Sequence, residues 1–354
     1  MKPEHLIALV LMIIPFSIST QASAGELRDR LKERFQQRSG SATSEMNSRL
    51  DAQDLSDLGG GDNMTCKEWA RKVNRLQKRV DRRNAGPVPD LKDVPYGSEN
   101  LEKLDVFLPE KKSSALAPII MMVHGGGWCV GDKGGATMTE NKVARWVPKG
   151  FLFISINYPM INDGSNALAQ ANHVAKAAAF VQANAQKWGA DATKLILMGH
   201  SAGAHLVSLV NADARIRQLN GVRPILGTVS LDAGALDVVT QMPNVYPFLK
   251  TRYREAFGNT EAEWILASPF HQIDRSSPPW LGVCCTTRKD DPCGQATAHA
   301  NKSTGLGIKA SVQPEYKNHS AINKELGIPG HYTSRVETFM ASLDPVIAKL
   351  LAEK

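Results

Sequence analysis

The sequence predicts an α/β protein with a doubly wound, mostly parallel sheet and helices on both faces. Two observations carry that prediction. From Leu104 to Leu350, short apolar runs alternate with helical stretches such as Ala167 to Trp188 and Tyr332 to Leu350, the pattern of repeated strand–helix crossovers. Two of the apolar runs also empty directly into glycine-rich turns, His124-Gly125-Gly126-Gly127-Trp128 and Gly199-His200-Ser201-Ala202-Gly203.

In chain order, the first segment reads as an export signal. Leu6 to Ile18 form an apolar core behind Lys2, and Ala22-Ser23-Ala24 offers a small-x-small cleavage site before Gly25. The run is shorter than the ~20 residues that a membrane-spanning helix needs, so residues 1–24 are assigned to a signal peptide and the chain to a secreted or periplasmic location. Residues 25–63 are rich in charge, Ser, Gln and Gly and poor in large apolar residues, and are read as a flexible polar arm. Residues 64–91 follow as a basic amphipathic helix and linker. Within Cys66 to Arg83, Trp69, Val73, Leu76 and Val80 fall on one stripe, while Lys67, Arg71, Lys72, Arg75, Lys78, Arg79, Arg82 and Arg83 make the opposite face basic. That face suits solvent or peripheral contact with an anionic envelope surface. The net charge of +7 does not point to nucleic acid in an exported chain. Residues 92–354 are left as the main folded domain, to which the two glycine-rich turns belong.

Ala117 to Val123 is a fully apolar strand that runs into three glycines. Without side chains there, the amides of Gly126 and Gly127 can approach a substrate carbonyl and, with the amide of Ala202, hold an oxyanion. His124 is expected to brace this loop and Trp128 to cap the core. Lys194 to Met198 is a second buried run, and Ala202 to Val210 continues with helical spacing. Ser201 therefore falls on a strand-to-helix turn. Gly199 and Gly203 permit that tight turn, which exposes the serine Oγ at a helix N-terminus.

These residues resemble the HGGG-type esterase and lipase branch of the α/β-hydrolase superfamily, over roughly Val94 to the C-terminus, and the resemblance implies the α/β-hydrolase fold. Asn157-Tyr158, Asp191 and Ala267-Ser268-Pro269 after Phe257-Gly258 also look like positions of that branch. The hormone-sensitive-lipase-like group carries its acid in an Asp-Pro-Leu motif, which this chain lacks. It looks closer to small secreted carboxylesterases related to acetyl-xylan and feruloyl esterases and to kynurenine formamidases.

On this fold the triad order is Ser, then Asp or Glu, then His. Gly307 to Gln313 reads as the last strand and Glu315 to Ser320 as the loop after it, which makes His319 the expected base, ahead of His271, His299 and His331. The preceding run, Trp280 to Cys285, leads into Arg288-Lys289-Asp290-Asp291-Pro292. Asp290 is the first choice for the acid and Asp291 the second. Asp232, after the run Gly227 to Leu231, is the third.

Gln241 to Phe257 interrupts the alternation and reads equally as a small cap or a surface excursion. Of the five cysteines, Cys284 or Cys285 is expected to pair with Cys293, which leaves Cys66 and Cys129 without an assigned partner. No phosphate loop, H-E-x-x-H pair or C-x-x-C set is present, so neither metal nor organic cofactor is expected. The expected function is a serine carboxylesterase acting on small, short-acyl esters through an acyl-enzyme. An N-formyl or arylamide hydrolase is the neighbouring alternative, and a non-catalytic binding or adhesion module on the same fold is the alternative of another class.

Overall fold

The computed structural model describes residues 63–80, 86–110 and 115–353, and between 74 and 80 only the backbone helix. The expected signal peptide, nearly all of the polar arm and residues 81–83 of the basic segment lie outside the described residues. Eight strands form one sheet: β1 (Leu91–Pro95), β2 (Lys103–Phe107), β3 (Ala117–Val123), β4 (Leu152–Ile156), β5 (Ala190–His200), β6 (Gly227–Leu231), β7 (Trp280–Cys285) and β8 (Ala310–Glu315). Their order is β1-β2-β4-β3-β5-β6-β7-β8. β1 pairs antiparallel with β2, and β2 with β4, while β4, β3, β5, β6, β7 and β8 pair in parallel. This is the α/β-hydrolase fold. β8 starts at Ala310 rather than Gly307 because Gly307, at φ 83°, closes the preceding helix by donating to the Thr304 carbonyl.

The helices that matter below are α1 (Cys66–Val80), α2 (Ala136–Trp146), α3 (Ala167–Asn184), α4 (Ala202–Ala212), α5 (Val238–Asn244), α6 (Lys250–Phe257), α7 (Pro292–Gly305), α8 (His319–Lys324), α9 (His331–Ala341) and α10 (Pro345–Ala352). Successive strand residues face opposite sides. Ile119, Met121 and Val123 pack with Leu195 and Leu197 under α3 and α4. Ile120, Met122, Ile196 and Met198 pack under Trp146 of α2, Val336 and Met340 of α9 and Ile347 of α10. Burial on both faces explains why β3 and β5 read as unbroken apolar runs rather than as alternations. The second layer is also pinned by charge: Arg145 of α2 pairs bidentately with Glu337 of α9, and Trp146 Nε1 donates to the same carboxylate. Among the described residues, no helix is long and apolar enough to cross a membrane.

The interior holds several histidines. Burial pushes His205 down to about 4 and His299 down to about 3. Neither ring nitrogen of His299 has a partner among the described residues, and its ring packs 4.4 Å from that of Trp280. An unfolded histidine titrates near ~6.5. Between that value and the depressed folded one, the unfolded chain binds more protons, so the stability contributed is present above ~6.5 and is lost as pH falls towards 4. Each such histidine should remove roughly 2 kcal/mol between pH 7 and 5. Denaturant unfolding at the two pH values should show the drop, and His299→Leu should lose about 2 kcal/mol less than the parent. An equal drop in parent and variant would contradict the assignment.

Candidate active site

The parallel register brings the C-terminal ends of β3, β5 and β6 side by side, with Val123 opposite Gly199 and His200 opposite Leu231. Ser201 is the residue after β5, at φ 56°, ψ −118°, and its side chain makes no capping bond to α4. Its amide donates to the Leu231 carbonyl at 2.9 Å, which ties the turn to the end of β6. A positive φ on a non-glycine residue is strained, and the flanking glycines allow it. A Cβ on Gly199 would run into the carbonyl of Gly203, and one on Gly203 into the carbonyls of Val123 and His124. The turn, and with it the unpaired N-terminal amides of α4, therefore packs directly against the end of β3.

There the chain enters the glycine loop. A Cβ on Gly125 would lie 2.8 Å from the Ser201 Cβ, so the loop passes beside the serine. Gly126 has φ 113° and Gly127 φ 60°. The Gly126 carbonyl accepts from the amides of Cys129 and Val130, while the space a Gly127 Cβ would fill is open. No group among the described residues accepts from the amides of Gly126, Gly127 or Ala202. His124 Nδ1 donates to the Gly125 carbonyl at 2.8 Å, and its ring stacks on Tyr158, whose hydroxyl donates to the His124 carbonyl. Trp128, at φ 63°, is buried against Tyr253 and Phe257 of α6 and against His205. Trp128 Nε1 donates to His205 Nδ1, and His205 Nε2 in turn donates to the Ala267 carbonyl. That pattern requires a neutral imidazole, in keeping with the lowered pKa of His205. The segment Gln241 to Phe257 is thus neither a free lid nor a surface excursion where it meets the loop, because α6 is the wall that holds Trp128.

His319 opens α8 behind the cap Asn318. Bonds that strap this short helix to α2 include Lys142 Nζ to the Asn323 carbonyl, Asn141 Nδ2 to the Lys324 carbonyl, and Asn323 Nδ2 to the Thr137 carbonyl. Burial pushes Lys142 down to about 7. His200, the residue before Ser201, donates from Nε2 to the His319 carbonyl at 2.9 Å, and the two rings lie 4.5 Å apart.

The carboxylate on the His319 ring belongs to Asp232, the third choice in the sequence, and not to Asp290 or Asp291. Asp232 follows β6 at φ 55°, and its Oδ2 accepts from His319 Nδ1 at 2.6 Å. Its Oδ1 accepts from the Cys285 amide at 2.8 Å, and Arg288 Nη1 donates to Oδ2 at 2.9 Å. Burial alone would raise its pKa, but the Arg288 charge, the His319 bond and the Cys285 amide hold it well below the usual carboxylate range. Asp290 instead takes Arg288 Nε and Nη2. Asp291, at φ 49°, caps α7 by accepting from the Gly294 amide. The loop after β7 thus spends its carboxylates on its own arginine and its own helix.

Two disulfides staple the surrounding loops. Cys284–Cys293 spans the Arg288 loop, as the sequence suggested, and Cys285 is free and buried. Cys66–Cys129 also forms and fastens α1 to the glycine loop, a pairing the sequence left unassigned across 63 residues. Trp69 of α1 is buried under Arg252 of α6, whose guanidinium lies 4.3 Å from the ring centroid.

Residues 104–296 match the BD-FAE family. A kynurenine formamidase of Danio rerio is 33% identical over 228 residues, 63% of this chain and 72% of its own length. Esterase LipQ of Mycobacterium tuberculosis is 28% identical over 213 residues, 56% of this chain and 48% of its own length. The chain spans about half or less of the first curated relatives it matches. Esterase B of Lactobacillus Rhamnosis superposes with a TM-score of 0.62 at 16% identity, over 80% of this chain and 94% of its own, a likeness of fold. With the match extending over more than half of its length, the chain belongs to the BD-FAE family of the α/β-hydrolase superfamily.

Proposed function

We propose that the protein is an exported serine hydrolase that cleaves small, short-acyl carboxylic esters, with Ser201 as nucleophile, His319 as general base and acid, and Asp232 as the residue that orients the imidazole. The observation that carries this reading is the 2.6 Å bond from His319 Nδ1 to the buried Asp232 carboxylate. It keeps a proton on Nδ1 and leaves Nε2 free to accept one. Nε2 then takes the Ser201 Oγ proton as Oγ attacks the ester carbonyl. The oxyanion is held by the amides of Gly126, Gly127 and Ala202. Collapse expels the alkoxide, which receives the proton from Nε2, and water repeats the sequence on the acyl-enzyme. The rings of Tyr253 and Phe257 against Trp128 fill the flank of the oxyanion loop, which favours a short acyl group. Lys67 and Arg71, exposed on α1, support contact with an anionic envelope surface.

The kynurenine formamidase relative favours a second reading, N-formyl arylamide hydrolysis with the same residues. Parallel assays on aryl esters and formylated anilines separate the two.

Three outcomes are expected. Ser201→Ala should lower kcat on the order of 10⁶-fold. Asp232→Asn should cost roughly 10⁴-fold, because the amide no longer commands Nδ1 and the nearby Arg288 can donate to it, which places the ring proton on Nε2. Asp291→Asn should cost less than about tenfold, since it touches only a helix cap. A Ser201→Ala variant that kept a tenth of parental turnover, or a mild Asp232→Asn, would contradict the assignment.

In a chromogenic ester series, kcat/KM should fall with acyl length from acetate and butyrate onward. Faster turnover of a long-chain ester of about C16 in soluble form would rule out the short pocket.

A further inference from the structure

Arg288 is the unusual group at this site. It is a half-buried guanidinium, with 19% of its side chain exposed, placed between two carboxylates whose side chains are 0% (Asp232) and 3% (Asp290) exposed. Nη1 donates to Asp232 Oδ2 at 2.9 Å and to the Asp232 carbonyl at 3.1 Å, and it also lies 3.2 Å from His319 Nδ1. Both Nη1 and Nδ1 are donors when the imidazole is arranged to accept on Nε2, so Asp232 Oδ2 is what keeps these two groups compatible. On its other edge Arg288 meets Asp290 in a two-pronged pair, Nε to Oδ1 at 3.0 Å and Nη2 to Oδ2. The chain makes room for this pair: a Cβ on Gly234 would come within 2.6 Å of Nη2 and 3.2 Å of the Asp290 Oδ2.

Resting on the hydrolase reading above, we propose that Asp290 is a positioning residue that acts through Arg288, fixing the guanidinium on Asp232 and balancing its charge so that an imidazolium can form on His319. With a neutral ring the cluster holds one cation and two anions. When His319 takes the serine proton, two cations face two anions. Without Asp290 the imidazolium would form beside an uncompensated guanidinium, with one carboxylate shared between them. In a site largely screened from water, that repulsion falls on the transition state and not on substrate binding. A guanidinium released from Asp290 is also free to turn an N–H onto Nδ1, which favours the ring tautomer that cannot accept from Ser201. Arg288 is thus tolerable beside the base only while Asp290 holds it.

The test compares the parent, Asp290→Asn, Arg288→Met and the double variant on an aryl acetate, with fluorophosphonate titration of each preparation. Asp290→Asn should lower kcat roughly 10²-fold with KM within about threefold of the parent. The double variant should regain at least about tenfold of that loss, since removing the cation removes what Asp290 compensates. A merely structural carboxylate would give the opposite order, the double variant being the worse of the two. Asp290→Asn with near-parental kcat, or a double variant no faster than Asp290→Asn, overturns the proposal. Should Asp290→Asn not fold, Asp290→Ser carries the comparison, and failure of both to fold overturns it as well. A parent that neither turns over the ester nor reacts with the fluorophosphonate refutes the hydrolase reading itself and removes the basis of this proposal, an outcome distinct from the Asp290 result.

Discussion

The mouth of the sheet depends on one buried carboxylate. Asp232 receives the His319 ring, the Arg288 guanidinium and the Cys285 amide on its two oxygens, and its own amide is tied to the Val283 carbonyl. A buried charge is expensive unless it is paired and hydrogen-bonded, and these three donors meet that condition for Asp232. Its position follows from the sheet. Leu231 stands opposite both His200 and Val283, so the residue after β6 lies between the serine turn and the loop after β7.

The loops around that carboxylate are restrained from outside. Trp128, Ser201 and Asp232 all adopt positive φ without being glycine, and such strain persists only where the surroundings fix it. For Trp128 the surroundings are the rings of α6 and the bond to His205. For Ser201 they are the glycine contacts and the bond to Leu231. For Asp232 they are Arg288 and β7. The two disulfides act on the same loops, one beside Trp128 and one across the Arg288 turn, rather than in the core.

Much of this was legible in the sequence because the determinants are local. Runs buried on both faces announce parallel strands, and the glycines around Ser201 and in the His124 loop are required by backbone contacts that admit no side chain. His319 stands where the sequence placed it, after the last strand. The carboxylate beside His319 was not legible. Asp232 and Asp290 both follow apolar strands, and what separates them is a contact between strand ends plus an arginine that binds both, neither of which has a sequence period. The Cys66–Cys129 bond escaped for the same reason, since it joins a helix outside the sheet to a loop within it. The docking of α6 on Trp128 was half visible, as an aromatic-rich interruption without a stated partner.

The proposed roles of Ser201, His319 and Asp232 are tested most directly by a crystal structure of the protein after reaction with a short alkyl phosphonate ester. Phosphorus should be bonded to Ser201 Oγ, with one phosphonyl oxygen about 3 Å from the amides of Gly126, Gly127 and Ala202 and His319 still bonded through Nδ1 to Asp232. Phosphorus on another residue, an oxygen turned away from those amides, or His319 bonded to Asp290 in place of Asp232 would contradict those roles.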